Sequence, residues 1–149
     1  MSRQSASIDI KRPVAEVFAY LDDIASERMW QPNLKVAEQE PPGPTAVGTR
    51  KRYVSQFLGR EVENTYEVTE LEPGRRVVYE TQKGSTIEAR SEILCEPTGT
   101  GTRVTMFITA KPKGVLRFVP AKILEAAYRE ELSATLSRLK TTMESQPNG

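Results

Sequence analysis

Residues 61–96 read EVENTYEVTELEPGRRVVYETQKGSTIEARSEILCE, and this stretch decides the fold. Three alternating runs, Glu61 to Leu71, Arg76 to Gln82 and Thr86 to Glu96, are separated by Pro73-Gly74 and by Lys83-Gly84-Ser85. Period-two alternation carried by β-branched and aromatic residues is the pattern of half-buried strands. Breaks this short admit hairpins. Parallel neighbours would need crossovers of a dozen or more residues. The segment therefore predicts an antiparallel meander.

The pattern extends in both directions. Gly48 to Leu58 precedes it across Gly59-Arg60, and Thr102 to Lys111 follows the turn-rich Pro97-Thr98-Gly99-Thr100-Gly101. Two more strands are expected at Ser5 to Ile10 and Lys35 to Glu40, the latter stopped by Pro41-Pro42-Gly43-Pro44. Between them Pro13 opens a helix over Val14 to Leu21, with Val14, Val17, Phe18 and Leu21 on one face. A second short helix, Ile24 to Met29, ends near Trp30 and Pro32. The last element is a long helix from Val119 to Glu144. Its expected apolar face is Ile123, Ala127, Leu132, Leu136, Leu139 and Met143, opposite Lys122, Glu125, Arg129, Glu130, Arg138 and Lys140. Residues 145–149 read as a frayed tail. The order of strand, two short helices, six strands and a long helix predicts a single α+β domain over 1–149. A seven-stranded antiparallel sheet with one apolar face needs a cover, and only the C-terminal helix is large enough.

Composition narrows the function. Lys plus Arg number 21 and Asp plus Glu 20, a balance that gives no electrostatic case for nucleic acid. Cys95 is the single cysteine, so no intrachain disulfide forms. Near a strand end, it reads as a structural thiol. Residues 1–7 lack an apolar stretch of signal-peptide length, and no apolar run is long enough to span a bilayer. The expectation is a cytoplasmic protein with no transmembrane segment. The sequence holds no histidine. Ser–His and Cys–His nucleophiles and the usual zinc sites are excluded, and neither a metal nor a cofactor is expected. Any chemistry falls to carboxylates, tyrosine, lysine, arginine or water.

Four sets of residues carry a family resemblance. They are residues 13–22, PVAEVFAYLD, followed by Trp30-Gln31-Pro32; Val47-Gly48-Thr49-Arg50 leading to Phe57-Leu58-Gly59-Arg60; residues 66–76, YEVTELEPGRR; and Gly101-Thr102-Arg103-Val104-Thr105. Together they resemble the START-like (SRPBCC) superfamily, and within it the polyketide cyclase/dehydrase group. The resemblance implies a helix-grip fold, a curved sheet wrapped around the long helix with a cavity between them. Cyclases, lipid and hormone carriers and chaperone-associated domains share this fold, and a shared fold does not choose among them. No catalytic constellation carries over, so the catalytic residues stay unassigned.

Strand parity gives the expected wall of that cavity. Val62, Asn64, Tyr66 and Val68 share one face; Glu61, Glu63, Thr65 and Glu67 share the solvated one. Ile87, Ala89, Ser91 and Ile93 point inward by the same rule, as do Val104, Met106, Ile108 and Ala110. Val77, Tyr79 and Thr81 form the inner set of the middle strand, although Val78 blurs its parity. The expected pocket residues are Trp30, Asn64, Tyr66, Tyr79, Ser91, Met106 and Ile108, with Ile123 and Ala127 from the helix. The alternative is that they only fill the core, with Trp30 anchoring the short helices. Arg50, Arg52, Glu61 and Glu63 are expected to pair across strands on the outer face, each pair contributing at most about 1 kcal/mol. Val115, Leu116, Phe118 and Val119 read either as an apolar lip at the cavity mouth or as a homodimer contact.

Three functions follow. The first is binding of a small hydrophobic or amphipathic ligand, such as a lipid, polyketide or aromatic metabolite. The second is a cyclase or dehydratase in which Tyr66 or Tyr79 donates a proton and Asn64 orients an enolate oxygen. The third is a protein-interaction module using the lip at Leu116 and Phe118.

Overall fold

The computed structural model describes residues 3–31 and 33–145. Pro32 and residues 146–149, which include most of the expected tail, lie outside the described residues. Seven strands form one antiparallel sheet: β1 (Gln4–Ile10), β2 (Leu34–Glu40), β3 (Arg50–Phe57), β4 (Arg60–Glu72), β5 (Arg76–Thr81), β6 (Ile87–Pro97) and β7 (Thr102–Pro112). Their order is β1-β7-β6-β5-β4-β3-β2. β2 to β7 run as the expected meander, and β1 closes on β7 from Gln4 opposite Ile108 to Ile10 opposite Thr102. Both edge strands flank the short helices α1 (Val14–Asp22) and α2 (Glu27–Trp30), which are joined by a 3-10 turn at Ile24–Ser26. Asp23 caps that turn, accepting from the Ala25 amide at 3.1 Å and the Ser26 hydroxyl at 2.8 Å.

The long helix, α3 (Ala121–Glu144), follows a 3-10 segment at Gly114–Phe118. It starts two residues later than expected, because Pro120 supplies the N-cap and its carbonyl accepts from Ile123 and Leu124. Its buried face also differs. Leu124, Tyr128, Thr135, Leu136, Leu139 and Met143 are buried, whereas Ile123 is 52% exposed. Ile123 and Ala127 each precede an inward residue by one position, a rotation of about 100° around the helix.

Two apolar clusters hold α3 to the sheet. One joins Leu136, Leu139 and Met143 to Ile10, Val17 and Val104. The other joins Leu124 and Tyr128 to Phe57, Val62 and Leu116, with Phe57 and Tyr128 stacked at 4.8 Å. Arg12 donates to the Met143 carbonyl at 3.1 Å and Lys140 to the Asp9 carbonyl at 2.8 Å, pinning the C-terminal end of α3 to β1. Of the pairs expected on the outer face, Arg52–Glu63 forms, and Arg52 also meets Glu38; Glu61 pairs with Lys35 instead, and Arg50, which lies opposite Glu67, joins no ion pair among the described residues. Val78 is fully buried on the outer parity of β5, which accounts for the mixed signal there.

Candidate functional site

The two clusters part near the middle of α3, leaving a cavity of about 190 Å³ between the sheet and the helix. Cross-strand register assembles its wall. Tyr53 lies opposite Asn64, Tyr79 opposite Ser91, and Ser91 opposite Ile108, so adjacent strands present these side chains in lateral rows. Trp30, Asn64, Tyr66, Tyr79, Ser91, Met106 and Ile108 all line the cavity. The other two expected residues do not. Ile123 faces outward, and Ala127 is half-buried against the Leu124–Tyr128 cluster. In their place α3 contributes Tyr128, Glu131, Leu132 and Thr135.

Lys51 was hidden in the sequence by its charged neighbours, the exposed Arg50 and the half-buried Arg52. It is completely buried, because β3 alternation puts it on the same face as Tyr53 and Ser55. Its Nζ lies 3.5 Å from Asp22 Oδ1 and 3.9 Å from Glu27 Oε1. It also donates to the Asp22 carbonyl at 3.3 Å and meets the Tyr79 hydroxyl at 3.5 Å. Glu27 is the centre of this network. Its Oε1 accepts from the Tyr53 hydroxyl at 2.8 Å and its Oε2 from Gln31 Nε2 at 2.6 Å. Burial pushes the Glu27 carboxyl up to about 7, against the opposing pull of Lys51 and of the Tyr53 hydrogen bond. Burial, reinforced by Glu27, likewise raises Tyr53 and Tyr79 well above the usual phenol range.

Glu131 has a simpler environment. Burial alone raises its carboxyl to about 7. Nearby, the Tyr66 hydroxyl is raised to about 12 by burial and by Glu131, an effect the Ser91 hydroxyl opposes. Tyr66 is edge-on to both Tyr53 and Tyr79, with centroids 5.9 and 6.4 Å apart. Asn64 spends its carbonyl oxygen on the fold, accepting from the Ile87 amide at 3.1 Å. Two buried polar atoms in cavity-lining residues have no hydrogen-bond partner among the described residues: Trp30 Nε1 and Tyr128 Oη. Such atoms are uncommon in folded proteins.

Cys95 is buried, and burial pushes its thiol up to about 12, as befits a core residue. The expected lip is split: Leu116 is buried in the core cluster, while Phe118 is 74% exposed with Arg117 over its ring. No helix among the described residues is long and apolar enough to cross a membrane.

A curved antiparallel sheet gripping a long C-terminal helix over a partly apolar cavity defines the helix-grip, START-like class. The chain belongs to the family described as polyketide cyclase / dehydrase and lipid transport, whose model matches residues 1–144. Hydrophobic-ligand binding or cyclase activity is the general function of this class. Solved structures agree on the fold. The protein TTHA0849 from Thermus thermophilus is similar at a TM-score of 0.80 and 19% identity, over 97% of this chain and 100% of that one. A START superfamily protein from Mycobacterium smegmatis is similar at 0.80 and 14%, over 95% and 97%. The di-domain ARO/CYC BexL of the BE-7585A biosynthetic pathway is similar at 0.75 and 16%, over 98% of this chain and 51% of that one. No curated protein matches the sequence significantly.

Proposed function

We propose that this protein binds a small, ring-bearing amphipathic molecule between the sheet and α3. The observation that carries this reading is the cavity itself, about 190 Å³ with a mainly apolar wall and a few polar groups. An apolar cavity of roughly 150 Å³ accommodates benzene. The volume therefore suits one ring or a fused pair with a short arm, and a long acyl chain would have to project outside. The lone tryptophan, Trp30, is only 2% exposed and lines the cavity, which makes its emission a direct reporter. Titration with indole, short alcohols and fatty acids, followed by Trp30 emission and thermal shift, tests the reading. We expect ring compounds to raise Tm and change the emission, and Ile108→Trp, whose second tryptophan restricts its readout to thermal shift, to abolish the rise in Tm by narrowing the space. Ligand responses unchanged in Ile108→Trp would place binding elsewhere.

The Glu27–Tyr53 pair supports a second reading, proton-transfer chemistry of the cyclase or dehydratase kind. A carboxyl near 7 on a cavity wall is matched to general acid–base work at neutral pH. Glu27 would remove a proton from a carbon next to a carbonyl. The Tyr66 hydroxyl and the remaining Asn64 amide donors would hold the enolate oxygen. Deuterium exchange at the activated methylene of an aromatic β-diketone measures this step. Catalysed exchange that survives Glu27→Gln would remove Glu27 from it.

A further inference from the structure

We infer that the cavity selects a cationic ring amphiphile, an aryl-alkyl ammonium compound, with Glu131 as its counter-ion. The inference rests on the cavity-binding reading and specifies the charge of the ligand.

The charged side chains on the cavity wall are Glu27, Glu92 and Glu131; no lysine or arginine lies among the described lining residues. Two of the three carboxylates are already satisfied. Glu27 is held by Tyr53, Gln31 and Lys51. Glu92 accepts from Arg76 at 2.8 Å, which holds its carboxyl below the usual range. Lys51, the nearest buried cation of this network, is committed to Asp22 and Glu27. Glu131 has neither a hydrogen bond nor an ion pair among the described residues, and it is half-buried where α3 crosses the cavity.

Its nearest polar groups are neutral hydroxyls: Tyr66 from β4, itself hydrogen-bonded by Ser91 of β6, and Tyr128 one turn earlier on α3. Tyr128 is 5% exposed, and its Oη has no partner among the described residues. A buried carboxylate without a counter-charge is strongly disfavoured, and the group takes up a proton instead. The rise of Glu131 toward neutrality has that cause alone. A ligand ammonium supplies the missing charge, so the carboxyl releases its proton and an ion pair forms in a poorly solvated site. A ligand carboxylate would meet the opposite arrangement, three acidic groups and no available cation. Electrostatic complementarity of this kind sets specificity more than raw affinity. The unpartnered Trp30 Nε1 and Tyr128 Oη are donors suited to an oxygen substituent on the same ring.

Three probes with one ring and one arm length isolate the charge: 2-(1-naphthyl)ethylamine, 2-(1-naphthyl)ethanol and 1-naphthaleneacetate. Calorimetric titration near pH 7 should rank the ammonium compound about tenfold tighter than the alcohol, and the alcohol about tenfold tighter than the carboxylate. In Glu131→Gln the ammonium and alcohol affinities should converge to within about threefold, while the alcohol stays within about threefold of its wild-type value. The alcohol also shows that the variant's pocket is intact. Repeating the wild-type titration in buffers of different ionisation enthalpy should show proton release with the ammonium compound and none with the alcohol. Glu27, the other wall carboxyl near neutrality, remains in Glu131→Gln and serves as the internal control. A carboxylate that binds as tightly as the ammonium compound, or an ammonium preference that survives Glu131→Gln, overturns the inference. Alcohol binding without any charge preference defeats this inference alone; failure of all three probes defeats the cavity-binding reading and this inference with it.

Discussion

Replacing Glu131 by Gln should make the protein more stable above neutral pH and leave it nearly unchanged in mild acid. Burial raises the Glu131 carboxyl from 4.5 to about 7 in the folded state. Between these values the folded protein holds a proton that the unfolded chain has released. Stability from this group is therefore fully present below pH 4.5 and is lost as pH rises through about 7. The gap corresponds to at most about 3 kcal/mol, and relaxation of the cavity wall brings the expected change to between about 1 and 3 kcal/mol. Gln keeps the shape and never ionises, so it should not show this loss. Urea unfolding of both proteins from about pH 4 to about pH 8.5 gives the comparison, with equal m-values confirming that the same surface is exposed. Subtracting the curves cancels Glu27 and the outer carboxylates, which both proteins retain. The difference should be near zero at the acid end and favour Glu131→Gln at the alkaline end. A difference flat within about 0.5 kcal/mol would refute the claim that Glu131 ionises without a counter-charge.

Other substitutions test the rest of the site. Lys51→Met strips the cation from Asp22 and Glu27 and should cost about 3 kcal/mol by denaturant unfolding; Lys51→Met with Glu27→Gln should recover part of it, and strict additivity would mean the pair is not coupled. A Cβ on Gly101 would lie 2.1 Å from the Ile10 carbonyl oxygen, so Gly101→Ala should lose about 2 kcal/mol where β1 meets β7. Gly99→Ala, with nothing within 4 Å, should stay within about 0.5 kcal/mol, and equal losses at both sites would defeat the steric explanation. Trp30→Phe removes a donor with no partner among the described residues but also shrinks a core side chain, so unfolding should shift by about 1–2 kcal/mol. Affinity for a ring carrying an acceptor oxygen should fall in the same variant, and unchanged affinity would exclude contact with Nε1.

The sheet was legible because its information is local. Alternation in residues 61–96 and hairpin-length breaks give the meander, and parity places Asn64, Tyr66, Ser91, Met106 and Ile108 on the inner face. The face of α3 was less legible, since a helix rotates about 100° per residue and two adjacent apolar residues compete for one inward position. Leu124 is inward and Ile123 outward on a helix that begins at Ala121 after the Pro120 cap, a start that periodicity alone does not locate. The charged part of the site was missed because charge was read as exposure. Parity already set Lys51 beside Tyr53 and Ser55. Glu131, three residues after Tyr128 and four before Thr135, interrupts the buried stripe of α3, and that interruption was the available signal. The meeting of Glu27 with Lys51 is tertiary: α2 and β3 are brought together only when the short helices close the open side of the sheet.

The division of labour along α3 explains how such a fold accepts new chemistry. Its C-terminal half seals one cluster through Leu136, Leu139 and Met143, and its first turns seal the other through Leu124 and Tyr128. The helix is held at both ends, so the turn between them need not pack tightly. It is there that Glu131 occurs, on the long helix that crosses the cavity. An unpaired carboxyl there costs stability yet lies outside both core clusters. The side chain at position 131 belongs to neither cluster, and in this chain it is acidic. If stability were the sole constraint, glutamine or leucine would serve better at neutral pH; the ammonium ligand we propose would give the acid its partner.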